Sequence, residues 1–161
     1  NFRILHDALL KKKIVKLIHF ESPNTPKYLN YGFKHAHAPI VLYLDDDVSI
    51  SKDTIQAHID AYEDDSVKAV AGRVINDGDP VNQSYKNMGK IEWFGAIFHS
   101  KFNSKKDAYV DYPYGCNMSF RRTALEELGG FDENLAPPIY AFNEVDIGVR
   151  LNKKWNNSCL L

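Results

Sequence analysis

Three consecutive carboxylates, Asp45, Asp46 and Asp47, directly follow the apolar run Ile40-Val41-Leu42-Tyr43-Leu44. The run has no polar alternation, so it reads as a strand buried on both faces, of the kind found in parallel sheets covered by helices. In open α/β sheets, ligands sit outside the carboxyl ends of the strands. Adjacent like charges raise each other's pKa unless a cation is near. Asp45 and Asp47 point the same way along an extended backbone. Two such hard oxygen ligands suit Mg2+ or Mn2+, which take substrate phosphates as further ligands. The plainer alternative is a solvated acidic turn. A calcium loop is set aside, because counting from Asp45 the sixth position is Ile50 rather than Gly and the twelfth is Gln56 rather than Glu.

Two enzyme chemistries use an Asp-x-Asp after an apolar strand. In haloacid-dehalogenase-like phosphatases the first Asp, here Asp45, is a nucleophile, and a later Lys and acidic pair complete the site. Asp64-Asp65 is such a pair, but it closes a helix soon after the cluster and fits poorly. In nucleotide-sugar glycosyltransferases the cluster holds a metal and the donor.

The elements that must position these residues alternate. Phe2, Leu5 and Leu9 mark a helix face. Ile14 to Phe20 reads as a strand, Ser22 to Pro26 as a turn, and Lys27 to His37 as a helix stopped by Pro39. After the acidic cluster a helix carries the stripe Ile55, Ile59, Tyr62, with Asp53 and Gln56 as a capping pair. Val67 to Ile75 is the next strand, which makes a βαβ unit and an α/β class. Residues 81–114 are aromatic-rich and without clear period. Thr123 and Glu126 form a capping box closed by Gly129-Gly130. A final helix runs from about Asn143 to Lys154, with Phe142, Val145 and Val149 on one side.

Composition narrows the classes. The chain has 161 residues with 44% hydrophobic content, enough for one packed domain over 1–161 and too apolar for a disordered chain. Lys and Arg total 20 against 21 Asp and Glu, a balance that argues against gripping nucleic acid. No apolar run approaches the about 20 residues of a membrane span. Cys116 and Cys159 have no metal-type spacing and read as free thiols in a reducing compartment. Within the expected helix His35 and His37 lie on different faces, so they make a poor metal pair. Asn82, Asn117 and Asn156 each begin an N-x-S sequon, read as chance. Both ends look cut, as in a fragment of a longer protein.

Four segments together carry a resemblance. They are Leu29-Asn30-Tyr31-Gly32, the Asp45–Asp47 cluster, Gly115-Cys116-Asn117 through Arg121 with Gly129-Gly130-Phe131-Asp132-Glu133, and Asn143-Glu144-Val145-Asp146 through Arg150. In order and spacing they resemble the family 2 glycosyltransferases, over about residues 22–155. The resemblance implies a GT-A fold: a Rossmann-like, mostly parallel central sheet flanked by helices, here lacking its first βα unit. It implies inverting transfer from a nucleotide-diphosphate sugar, a UDP-sugar foremost, to a carbohydrate, lipid-linked or protein acceptor, with Mn2+ or Mg2+. Glu144 stands at the position of the catalytic base. The usual Glu-Asp pair there is Asn143-Glu144, so the base is one methylene longer.

By the same resemblance Asp45 and Asp46 face the donor, and Asp47 with Asp45 holds the metal; Asn30 and, by its charge toward donor phosphates, Arg121 are further donor-side candidates. Asn117, Trp93, Asp146 and Arg150 lie on the acceptor side. Asp146 and Arg150, four apart on a helix, equally suit a simple ion pair. Trp93 and Tyr114 offer rings for a sugar face, although packing is the commoner role. The expected location is cytoplasmic, with any peripheral membrane contact made by segments outside the chain. The rival readings are a metal-dependent phosphohydrolase and an inactive GT-A-like sugar-binding fragment.

Overall fold

The computed structural model describes residue 11 and residues 15–80, 88–92, 102–135 and 142–161. The helix expected over residues 1–10, Asn82 and Trp93 lie outside the described residues. Helix α1, Thr25–His35, starts inside the expected turn. Asn24 caps it, its Oδ1 accepting from the Lys27 N–H at 3.0 Å, and Pro26 occupies the first turn, where its missing N–H leaves no helical bond unmade. Residues 15–20 take no place in the sheet, and Leu17 is exposed, so the strand expected over Ile14 to Phe20 does not form among them.

Five strands form one mixed sheet in the order β1-β4-β2-β5-β3, namely β1 Ile40–Leu44, β2 Ala69–Ala71, β3 Tyr109–Val110, β4 Asn117–Arg121 and β5 Cys159–Leu160. β1, β2 and β5 share one direction, while β4 lies antiparallel between β1 and β2. The expected βαβ unit therefore skips one strand. Continuous apolarity also misassigned the most buried strand. β1 buries only Val41 well and leaves Leu44 exposed, because its described hydrogen-bonded neighbour is β4 alone. β4, Asn-Met-Ser-Phe-Arg, reads as half polar, yet its first four residues are all buried. The expected strand Val67 to Ile75 shortens to β2.

Helix α2, Thr54–Asp60, continues into a 3-10 turn at Ala61–Glu63. It turns His58 and Tyr62 inward and leaves Ile55 and Ile59 outside. Of the expected stripe only Tyr62 is buried, and His58 takes the inward place of the isoleucines because Ser119 and Asn117 on β4 offer it partners. Asp53 does not cap: its backbone is already helical, so its side chain cannot reach back. Instead the Ser51 N–H donates to Thr54 Oγ1 at 3.1 Å, and Gln56 donates to Asp60 at 2.6 Å. Helix α3, Arg122–Leu128, begins one residue before Thr123, so the capping box does not form and Glu126 instead accepts from Arg122. Gly129 does close that helix in the left-handed conformation, φ 75°.

Helix α4, Asn143–Trp155, buries Val145, Ile147, Gly148 and Leu151, while Phe142 and Val149 face outward, opposite to the expected side. Gly148 explains the approach, since a Cβ there would lie 2.5 Å from the Asp111 carbonyl oxygen and from Tyr112 Cα. The core joins α1, the sheet, α3 and α4 through Phe33, Phe120, Leu125, Phe131 and Leu151. Tyr43, Phe120 and Phe131 meet edge to face, with centroids 5.7–6.0 Å apart.

Asn30 fastens α1 to the turn after α3. Its Nδ2 donates to the Phe131 carbonyl (2.9 Å) and to Glu133 Oε1 (2.8 Å), and its Oδ1 accepts from the Phe131 N–H (2.8 Å). Asn30→Ala would leave buried backbone groups of Phe131 unpaired, a loss of about 1–3 kcal/mol. We expect the midpoint of thermal unfolding to fall by about 2–12 °C, read by circular dichroism. An unchanged midpoint would show that the clamp contributes nothing.

Candidate active site

Strand pairing builds the site. β1 and β4 pair with Leu44 opposite Asn117, and the Asp45 N–H extends the ladder by donating to the Cys116 carbonyl at 3.2 Å. The start of β4 is therefore held against the acidic cluster. Asp46 and Asp47 form the turn that follows, and all three carboxylates are exposed. Asp45 and Asp47 line a cleft of about 1250 Å3 together with His58, Tyr114, Cys116 and Asn117. Asp46 does not line it.

Glu144 does not line this cleft, but from α4 it approaches Gly115, between the cleft residues Tyr114 and Cys116. A Cβ on Gly115 would lie 3.9 Å from its Cδ and 4.0 Å from both carboxylate oxygens. Glu144 and Gly148 are four residues apart and share a helix face. The close packing at Gly148 thus sets the carboxylate beside Gly115. Electrostatics record the convergence. The Cys116 thiol is pushed up first by burial, then by Asp45, with Asp47 and Glu144 adding to it. The Tyr114 phenol is raised by burial foremost, and by Cys116, Glu144, Asp79 and Asp45. Carboxylates far apart in sequence therefore bear on one short segment, Tyr114-Gly115-Cys116.

The remaining sequence-predicted residues divide. Asn117 lines the cleft, but its side chain is engaged with His58 and with the Arg73 carbonyl. Asp146 and Arg150 form the ion pair, at 2.6 and 2.9 Å, and Arg150 also donates to the carbonyls of Leu128 and Gly130. With Asn30 they border a separate hollow of about 420 Å3. Arg121 lies away from the cleft. Its guanidinium donates to the carbonyls of Val67, Tyr62 and Asp64 and lies over the Tyr62 ring, 5.2 Å from the centroid. Sequence reasoning missed His58, because a single histidine between Ala57 and Ile59 carries no motif. Asp64 and Asp65 precede β2, at the opposite end of the sheet from Asp45, so they do not complete an aspartyl-phosphate site.

The model of the glycosyl transferase family 2 matches residues 3–129, well over half of the chain. The chain belongs to the glycosyl transferase family 2. Among solved structures this family 2 chain is similar to the mannosyltransferase PcManGT from Pyrobaculum calidifontis, described in complex with GDP-Man and Mn2+. The identity is 15% and the TM-score 0.53, over 88% of this chain and 34% of that one. The likeness establishes a GT-A fold, and the chain spans about a third of the neighbour's length. No curated protein matches the sequence significantly. Among the described residues, no helix is long and apolar enough to cross a membrane.

Carboxylate oxygen is the ligand type that suits a hard divalent cation. Asp45 and Asp47 present only oxygen to the cleft, and no third His, Cys, Asp or Glu joins them among the described residues. That leaves coordination positions for phosphate oxygens and water. The Asp45 carboxyl, although exposed, is partly desolvated by the cleft, and this first, then Asp47 and Asp46, raises it above the ordinary carboxylate value. The folded state therefore holds its proton more tightly than the unfolded chain. The associated stability is present at low pH and is lost as pH rises through the raised pKa. In metal-free buffer at neutral pH, Asp45→Asn should melt no lower than wild type, and any advantage should vanish below the ordinary carboxylate pKa. Thermal melts across pH in chelator read this, and a variant that melts lower at neutral pH would contradict the assignment.

Proposed function

We propose that residues 1–161 form part of the catalytic domain of an inverting, divalent-metal-dependent glycosyltransferase. The donor is a nucleotide-diphosphate sugar and the acceptor carries a hydroxyl. The observation that carries the reading is that Glu144 approaches Gly115, whose neighbours Tyr114 and Cys116 line a cleft with Asp45 and Asp47. Asp47, helped by Asp45, would hold Mn2+ or Mg2+. When bound, the cation offsets negative charge on the donor diphosphate. Glu144 is the general base and takes the proton from the acceptor hydroxyl. The freed oxygen bonds to the anomeric carbon as the bond to the diphosphate oxygen breaks. The electron pair leaves with the nucleoside diphosphate, and the anomeric configuration inverts.

A UDP-sugar is the sequence-based expectation, while the similar mannosyltransferase was captured with GDP-Man. Both donor types therefore belong in the assay. The two unbridged cysteines agree with a cytoplasmic setting.

Calorimetric titration of the protein with UDP- and GDP-sugars, with and without Mn2+, tests the reading. Metal-dependent nucleotide binding is expected, and Asp47→Ala should abolish it. Absence of such binding in wild type would overturn the transferase reading. Glu144→Gln should retain donor binding and lose about 10²–10⁴-fold in transfer rate, the usual worth of a positioned base. Full transfer activity in that variant would show that Glu144 is not the base.

A further inference from the structure

Behind the carboxylates the cleft has a sealed polar floor. Ser119 is fully buried, and His58 and Asn117 are 4% and 9% exposed. Four contacts join them in a row. They are Tyr62 Oη to Ser119 Oγ at 2.9 Å, Ser119 Oγ to His58 Nδ1 at 2.8 Å, His58 Nε2 to Asn117 Oδ1 at 2.9 Å, and Asn117 Nδ2 to the Arg73 carbonyl at 3.3 Å.

The last contact sets the direction of every proton in the row. A backbone carbonyl only accepts, so the Asn117 amino group faces Arg73 and its amide oxygen faces His58. That oxygen also only accepts, so His58 Nε2 carries the hydrogen. In the neutral ring Nδ1 is then an acceptor, Ser119 donates to it, and Tyr62 donates to Ser119. Burial lowers the His58 pKa against the opposing effect of its bond to Asn117, which keeps the ring neutral.

The row ends where the chain leaves β2. The Gly72 N–H donates to the Asn117 carbonyl at 2.8 Å, and a Cβ on Gly72 would lie 2.2 Å from Asn117 Nδ2. Gly72, Arg73 and Val74 all line the cleft. Apolar packing could join the same elements, but it would not orient an amide. We propose that His58 is a positioning residue of the cleft: its Nε2–H orients Asn117, and Asn117 holds the Gly72–Arg73 backbone in the cleft wall. The inference rests on the transferase reading only in taking this cleft as the substrate site.

Two measurements test the positioning without any activity. Nitrogen-15 NMR of the wild-type protein at neutral pH should report a neutral His58 with hydrogen on Nε2. A ring protonated on Nδ1 would overturn the proposal. Amide exchange at Gly72 should speed up about tenfold in His58→Leu, the equivalent of about 1.4 kcal/mol, and return toward wild type in His58→Gln, whose amide can supply the lost donor. His58→Asn, too short to reach Asn117, serves if the leucine variant does not fold, and it should exchange as fast. Equal exchange in all foldable variants would overturn the proposal. In transfer assays the leucine or asparagine variant should raise KM about tenfold with kcat within about twofold, and glutamine should restore KM. Unchanged KM would again overturn it. If wild type bound no nucleotide, the transferase reading would fail, while the exchange result would still decide the role of His58.

Discussion

The register of β4 between β1 and β2 is the constraint on which the site depends. Leu44 lies opposite Asn117 on one side, and Ala71 opposite Met118 on the other. A slip of one residue would send every β4 side chain to the opposite face. It would bring Ser119 out of reach of His58 and Phe120 out of the aromatic cluster with Tyr43 and Phe131. It would also part Cys116 from Asp45. Because both faces of β4 are buried, each of these losses opposes the slip, and the register is strongly specified.

Two tethers then bring the remaining pieces onto that frame. Asn30 holds the turn after α3 through three hydrogen bonds, and Arg150 holds the same turn from α4 through the carbonyls of Leu128 and Gly130. These polar side chains occupy family motif positions, yet their observed partners belong to the fold. The acidic side chains nearest Tyr114-Gly115-Cys116 are fewer: Asp45 and Asp47 line the cleft, and Glu144 approaches Gly115. The structure therefore separates a polar scaffold from this acidic group, and the His58 row lies beside both.

Much of the fold was legible from local patterns. The α/β class, the existence of α1, α2, α3 and α4, and the Gly129 stop follow from periodicity, proline and glycine placement. Faces and caps were less legible. Ile55 and Ile59 look like a buried stripe, but α2 presents His58 and Tyr62 because β4 supplies their hydrogen-bond partners. Thr123 and Glu126 look like a capping box, but α3 begins at Arg122. At α2 a tertiary partner outweighed the apolar stripe, and at α3 a pair within the helix, Arg122 with Glu126, replaced a cap worth about one kcal/mol. The mixed sheet was equally hidden, since nothing local to β4 says that it enters antiparallel between β1 and β2.

The sequence by itself determined the family, through motifs whose order and spacing a single chain carries, and it determined which carboxylates to consider. Only the tertiary structure decided where each of them lies. The placement of Asp45 beside Cys116 depends on an antiparallel pairing, and that of Glu144 beside Gly115 on a helix that approaches closely only because residue 148 has no side chain. It likewise decided that Arg121, Asn30 and Arg150 engage backbone carbonyls, and that an unmarked histidine faces the cleft floor. Hydrogen-bond partners and packing distances are properties of pairs of elements, and no single segment of the sequence contains them.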